Sequence, residues 1–249
     1  MFIQMRAPLK TLFLGTVVIG WLLAAVAWPQ NADSAGLESV LSQMDAAGKK
    51  FHTTEASFVW DHYFAVIKEI DESARQKGTI YFQRESDEVQ MAADIVTPDN
   101  ETILYSGGKV QWYKAKTDEV NVFTPGKNRS DIEGYLVLGF GGGGHDLLKS
   151  YDVKLLGSET IDGSKVTKLE LIPKSEHFRD KIARIWLWID PLRGISLQQQ
   201  FFEPSPGGDF RLADYRLAKY SGIKINAKLP DNVFKLKTTR KTKFVPPPG

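Results

Sequence analysis

Cysteine is absent from all 249 residues. That excludes a disulfide framework, thiol chemistry and lipid attachment at a cysteine behind a leader. Histidine is scarce: His52, His62, His145 and His177 are the whole set, and none falls in HExxH or another close-paired ligand spacing. No Gly-x-Ser-x-Gly elbow and no Gly-Lys-Ser/Thr phosphate loop occurs. Charge of one sign is also missing, because 32 basic residues face 30 acidic ones. A nucleic-acid partner would need a basic face. Nothing assembles a nucleophile, a base and an orienting group. The chain therefore reads as a non-enzyme that uses no metal and no cofactor and binds no nucleic acid.

What is present begins at the N-terminus. Arg6 and Lys10 precede an uncharged apolar run from Thr11 to Trp28 that contains Ala25-Val26-Ala27. A basic start, an apolar middle and a small-x-small site form a secretory leader. Residues 1–27 are read as that signal peptide, cleaved after Ala27. The alternative is an uncleaved anchor, since the run approaches the ~20 residues that span a bilayer. Losing Arg6 and Lys10 brings the formal charge from +2 to near zero.

Residues 28–35 are small and polar and read as a linker. Leu37, Val40, Leu41, Met44 and Phe51 then recur at helical spacing, which predicts an amphipathic helix over 36–51. Alternation predicts strands over 56–64, 78–84, 89–95, 102–106, 110–114 and 119–123, with Gly107-Gly108 as a hairpin turn. Ser130 and Glu133 fit a capping box opening a short helix through about 138. A glycine run, Gly139 to Gly144 apart from Phe140, follows. It matches Gly-x-Gly-x-x-Gly, but no βαβ unit surrounds it; it reads as a flexible hinge before a second helical piece over 145–150. Strands resume over 153–161, 164–172, 183–190, 195–203, 210–220 and 233–236. The prediction is mainly β with α: an antiparallel sheet of about eleven strands whose open face is covered by helices. The domain spans 36–237. Residues 238–249 form a basic, proline-rich tail, read as a solvated end.

The strands carry a heavy aromatic load, including Phe58, Trp60, Phe82, Trp112, Trp186 and Trp188. A curled sheet covered by about three short helices has few large residues to plug its concave side, so a partly unfilled apolar cavity is expected. Lid residues would be Leu37, Leu41 and Met44 of the first helix and Leu136 and Leu147 of the insert. Met44 and Met91 offer adaptable surface. Trp186 and Trp188 share one face, as deep core or cavity wall. Arg84 shares strand parity with Ile80 and Phe82 and so points inward. It either snorkels to water or bonds backbone carbonyls of the covering helices as a breakable latch.

Several segments in order resemble the LolA family, the periplasmic carriers of outer-membrane lipoproteins. They are the helix from Leu37, Gly78-Thr79-Ile80-Tyr81-Phe82-Gln83-Arg84, Thr97-Pro98, the stretch from Leu104 through Gly107-Gly108 to Trp112-Tyr113, Tyr151-Asp152-Val153, Leu169-Glu170-Leu171-Ile172-Pro173-Lys174, Trp188-Ile189-Asp190 and Asp231-Asn232-Val233-Phe234-Lys235-Leu236. Glu85 stands where the family has proline, and the glycine insert and basic tail are unlike its pattern. The resemblance implies an unclosed barrel with a helical lid and a hydrophobic cavity for acyl chains, with Arg84 as latch and Leu104 on the cavity wall. It implies a periplasmic monomer that takes acylated lipoprotein from an inner-membrane release complex to an outer-membrane acceptor. A lipid- or lipoprotein-sensing regulator of the same fold is the alternative.

Overall fold

The computed structural model describes residues 30–86, 88–126 and 129–246. The leader-like segment 1–27 and the first two residues of the expected linker lie outside them. Helix α1 runs Gln30–Gly48, so residues 30–35 are helix and not linker. Alanine, as at Ala35, is a strong helix former.

Thirteen strands form one sheet: β1 (Thr53–Phe64), β2 (Glu69–Ile70), β3 (Gln76–Glu85), β4 (Glu88–Thr97), β5 (Glu101–Ser106), β6 (Lys109–Lys114), β7 (Glu119–Phe123), β8 (Tyr151–Ile161), β9 (Ser164–Pro173), β10 (Arg184–Asp190), β11 (Ile195–Phe202), β12 (Tyr215–Ile225) and β13 (Lys243–Val245). The order is β13-β7-β6-β5-β4-β3-β1-β12-β11-β10-β9-β8, with β2 paired to β1 beside this path. The ends β13 and β8 do not pair, so the sheet stays unclosed. Chain-adjacent strands are neighbours wherever a tight turn joins them. Gly107 and Gly108 turn β5 into β6, and Asp162 and Gly163 turn β8 into β9, all four at positive φ.

Three strand boundaries differ from expectation. Residues 233–236 lie in a turn region with Asn232 at φ 65°. The last strand lies instead in the supposed tail, where β13 pairs in parallel with β7. Lys243 N–H donates to the Asp118 carbonyl at 3.0 Å, and Thr239 and Thr242 hydroxyls donate to the Asp118 carboxylate at 2.9 and 2.7 Å. Strand β12 starts at Tyr215 because residues 210–212 form a 3-10 turn, whose Arg211 N–H donates to the Asp209 carboxylate.

Helix α2 spans Arg129–Leu136 and α3 spans Gly144–Ser150. Ser130 therefore falls inside α2 and not at the residue before it, and Glu133 accepts a hydrogen bond from the Tyr105 hydroxyl. The glycine segment between them is packed rather than hinge-like. Gly139 and Gly141 have φ +77° and +74°; a Cβ on Gly141 would collide with the Phe51 ring and one on Gly144 with the Leu41 carbonyl. Phe140 is buried and pairs by an isolated bridge with Ile195. A four-residue helix, α4 (Glu176–Arg179), joins β9 to β10.

Antiparallel partners point to one face. Through the register, Trp60, Ala218, Gln199 and Leu187 share one face, as do Phe82, Met91 and Tyr105. Helix α1 lies on the β8–β11 half of this inner face. Its Val40, Leu41 and Met44 pack with Leu169, Leu171, Ile185, Leu187 and Ile189. Each such side chain contributes about 1.5–3 kcal/mol by leaving water. The other half, from β1 through β6, is covered among the described residues by α2, the glycine segment and Phe51.

Candidate functional site: an apolar cavity under the second helix

On the half that α1 does not reach, the inner face is aromatic but incompletely covered. Helix α2 is short and supplies Tyr135 and Leu136. Phe140 adds one plug, stacked on Phe82 with centroids 4.2 Å apart and meeting Tyr220 edge-on at 4.9 Å. Between them a cavity of about 320 Å³ remains. Its walls include Phe58 and Trp60 of β1, Ile80 of β3, Met91 of β4, Ile103 of β5 and Trp112 of β6. Phe201, Tyr220, Tyr135 and Leu136 close the other sides.

Polar groups at the wall are few and mostly engaged. Tyr220 donates to Gln199 Oε1 at 3.0 Å, and Gln199 Nε2 donates to the Leu138 carbonyl at 2.5 Å. Trp112 Nε1 donates to Glu101 at 2.9 Å, and the Lys114 ammonium lies 3.9 Å from the Trp112 ring centroid. Burial pushes the Tyr135 phenol up to about 12 and raises that of Tyr220. Both therefore stay neutral, and the cavity interior carries no phenolate near neutral pH. Arg216 is a charged wall residue, tied to Glu203 at 3.1 Å.

Arg84 stands at the edge of this region. Its Nη2 donates to the Gly141 carbonyl, in the segment joining α2 to α3. The guanidinium also sits 6.0 Å from the Phe51 ring centroid. Its Nε is buried and meets no acceptor among the described residues. Of the two readings of Arg84, the structure shows the contact with a covering-segment carbonyl.

Among the other expected residues, Phe58, Trp60, Ile80, Met91 and Trp112 converge on the cavity. Phe82 lies on the same face but is sealed under Phe140. Leu104 does not line the cavity, because it pairs with Ala92 and Gln111 on the opposite face of the sheet. Trp186 and Trp188 are also on the opposite face, with Lys168 over both rings at 4.0 and 4.4 Å. Register explains this: they alternate with Ile185, Leu187 and Ile189, which lie under α1. Of the expected lid set, Leu136 touches the cavity. Leu41 and Met44 are buried against the β8–β11 half, and Leu37 and Leu147 pack beside them. Phe140, Tyr135 and Arg216 went unrecognised as site residues. Strand parity from Tyr220 through Ala218 could have marked Arg216; nothing local marks Phe140 as a plug.

No family model and no curated protein matches the chain. Solved structures do. An uncharacterized conserved protein from Thermus thermophilus matches with TM-score 0.52 at 10% identity, over 85% of this chain and 99% of the other. MucB matches with TM-score 0.50 at 14% identity, over 81% of this chain and 63% of MucB. The LolA superfamily protein NE2245 from Nitrosomonas europaea matches with TM-score 0.37 at 13% identity, over 80% and 97%. Likeness at such identities speaks of fold. The shared fold, with the Thermus protein and MucB, is an unclosed antiparallel sheet with helices across its inner face.

Proposed function

We propose that this chain is a periplasmic carrier that holds the acyl chains of lipoproteins in the cavity under α2 and passes them on. The observation that carries this reading is the unfilled apolar space on the inner face, walled by Phe58, Trp60, Ile80, Met91, Ile103 and Trp112. Removing a chain from a membrane costs about 0.8 kcal/mol per CH₂, so a sixteen-carbon chain costs on the order of 12 kcal/mol. Apolar wall must offset most of that cost. At about 320 Å³ the space lies at the low end of the ~300–1,000 Å³ of ligand pockets. It suits part of one chain, and fuller loading requires α2 and the glycine segment to move outward.

Arg84 supplies the opposing force in this reading. Its bond to Gly141 favours the closed, empty state, so loading breaks the contact and release restores it. Such a switch works only if cargo binds the two states with different affinity. A donor complex in the inner membrane and an acceptor at the outer membrane complete the cycle, and no catalytic role is assigned. Lipid extracted from natively purified protein should contain acyl chains by mass spectrometry. Arg84→Leu should retain more of that lipid and pass less to an acceptor membrane. Lipid-free wild-type protein, or unchanged retention and transfer in the variant, would remove the proposal.

The likeness to MucB favours a second reading, a regulator that senses lipid or lipoprotein through a protein partner. MucB is known in complex with MucA. A stable complex with a signalling protein, formed or broken by lipid without transfer, would favour the sensor.

A further inference from the structure

Three residues far apart in the chain meet at one corner of the sheet. His62 lies near the end of β1, Glu203 directly follows β11 and Asp214 directly precedes β12. Their ligand-type atoms all lie within 4.8 Å of one another. His62 opposes Arg216 across β1 and β12, so the corner adjoins the cavity wall.

The two carboxylates are held in place. Ala65 N–H donates to Asp214 Oδ1 at 2.7 Å, and Glu203 N–H donates to the Asp214 carbonyl at 2.9 Å. Arg216 donates through Nε and Nη2 to Glu203 Oε1 at 3.2 and 3.1 Å. These bonds use one oxygen of each carboxylate. The imidazole is different. His62 Nε2 is buried and has no hydrogen-bond partner among the described residues, although Glu203 Oε1 lies 3.8 Å away. A ring of Phe64 packs on the imidazole at 4.1 Å and fixes its plane. No group among the described residues hydrogen-bonds this nitrogen, so it is free to act as a ligand beside the two carboxylates.

We propose that His62, Glu203 and Asp214 form a binding site for a divalent transition metal, with zinc the best fit. One imidazole and two carboxylates make a borderline donor set; calcium and magnesium prefer oxygen alone. Zinc bonds of about 2.0–2.2 Å require the ligand atoms to close slightly from their present separation. Arg216 remains on Glu203 Oε1, the oxygen nearest His62, as an outer partner that offsets part of the carboxylate charge. Three protein ligands leave a fourth tetrahedral position for water or an anionic group at the cavity rim.

The test is calorimetric titration of the EDTA-stripped full chain with zinc sulfate alone, and visible absorption on adding cobalt(II). One ion per chain should bind, and the melting temperature should rise with zinc but not with calcium. His62→Ala and Glu203→Gln should each weaken zinc binding at least the ~10–100-fold lost on removing even an outer partner, and should abolish the cobalt band. His145→Gln should bind as wild type, although His145 also sits between two acids. Absence of stoichiometric zinc binding overturns the proposal and leaves His62 as a simple ion-pair partner of Glu203. Equal affinity in His62→Ala and Glu203→Gln overturns it as well. The outcome is separate from any lipid result, since the metal titration needs no cargo.

Discussion

Arg84 and Gly141 show how much one residue pair decides. The arginine is legible in the sequence as an inward charge among Ile80 and Phe82. Its partner is not, because a glycine carbonyl has no signature. Gly141 must be glycine for two reasons: φ of +74° and the Phe51 ring against its Cα. Gly141→Ala should therefore destabilise the fold by roughly 1–3 kcal/mol in urea denaturation, through backbone strain and overpacking together. A flexible hinge would accept alanine with little change. The same substitution should loosen the Arg84 contact, since the displaced residue carries the accepting carbonyl.

Among the elements, the join of α3 to α1 depends on pH. His145 Nδ1 meets Asp45, and its Nε2 lies 3.2 Å from Glu38, both on α1. The Asp45 bond foremost, then Glu38, raises the His145 pKa above 6.5. Burial alone would raise the Asp45 carboxyl, but bonds from His145 outweigh it and hold it below 3.8. A raised imidazole adds stability that is full below 6.5 and fades as pH climbs through the folded value. A lowered carboxyl adds stability that is full above 3.8 and fades as pH falls through its folded value. The tie is thus strongest between the two. The stability gap between wild type and His145→Gln should be widest near pH 5–6 and shrink toward pH 8; a gap independent of pH would show that the histidine contributes only packing.

The sheet edge is a second matter of elements. Strand β7 would present unpaired backbone groups if β13 did not cover it, and bare edges pair with other chains. The two threonine bonds, that from Thr242 first, hold the Asp118 carboxyl below its usual range and so clip the tail in place. Truncation after Leu236 should promote self-association, seen by light scattering after size exclusion, with a minor fall in melting temperature. The parallel pairing was invisible in the sequence: a short basic stretch rich in proline reads as tail, and only a vacant edge elsewhere turns it into a strand.

The whole molecule has two unlike halves. Over β8–β11 the helix α1 fills the inner face; over β1–β6 the short α2 does not. Leu187 is fully buried in the filled half, and Leu187→Ala should cost about 2–5 kcal/mol by opening a cavity. Ala93 borders the existing space, so Ala93→Leu should cost little or raise stability by up to ~1 kcal/mol while reducing bound lipid. Chemical denaturation and lipid analysis of the two variants distinguish a ligand space from a packing flaw. If Ala93→Leu destabilises as strongly as Leu187→Ala, the space is not a site.

Alternation along Phe58-Val59-Trp60 and Ile80-Tyr81-Phe82, the turn glycines and the apolar spacing of α1 determine the antiparallel sheet and its helical cover, because those patterns act over a few residues. The cavity wall at Trp60, Met91 and Trp112 follows from the same parity once one face is known to be inner. The sequence could not place Leu104, Trp186 and Trp188 on the other face, since parity names two sides without saying which one the helices cover. Nor could it bring His62 to Glu203 and Asp214 or Arg84 to Gly141. Those meetings depend on strand order, which is set by the packing of the entire sheet and leaves no trace in local spacing.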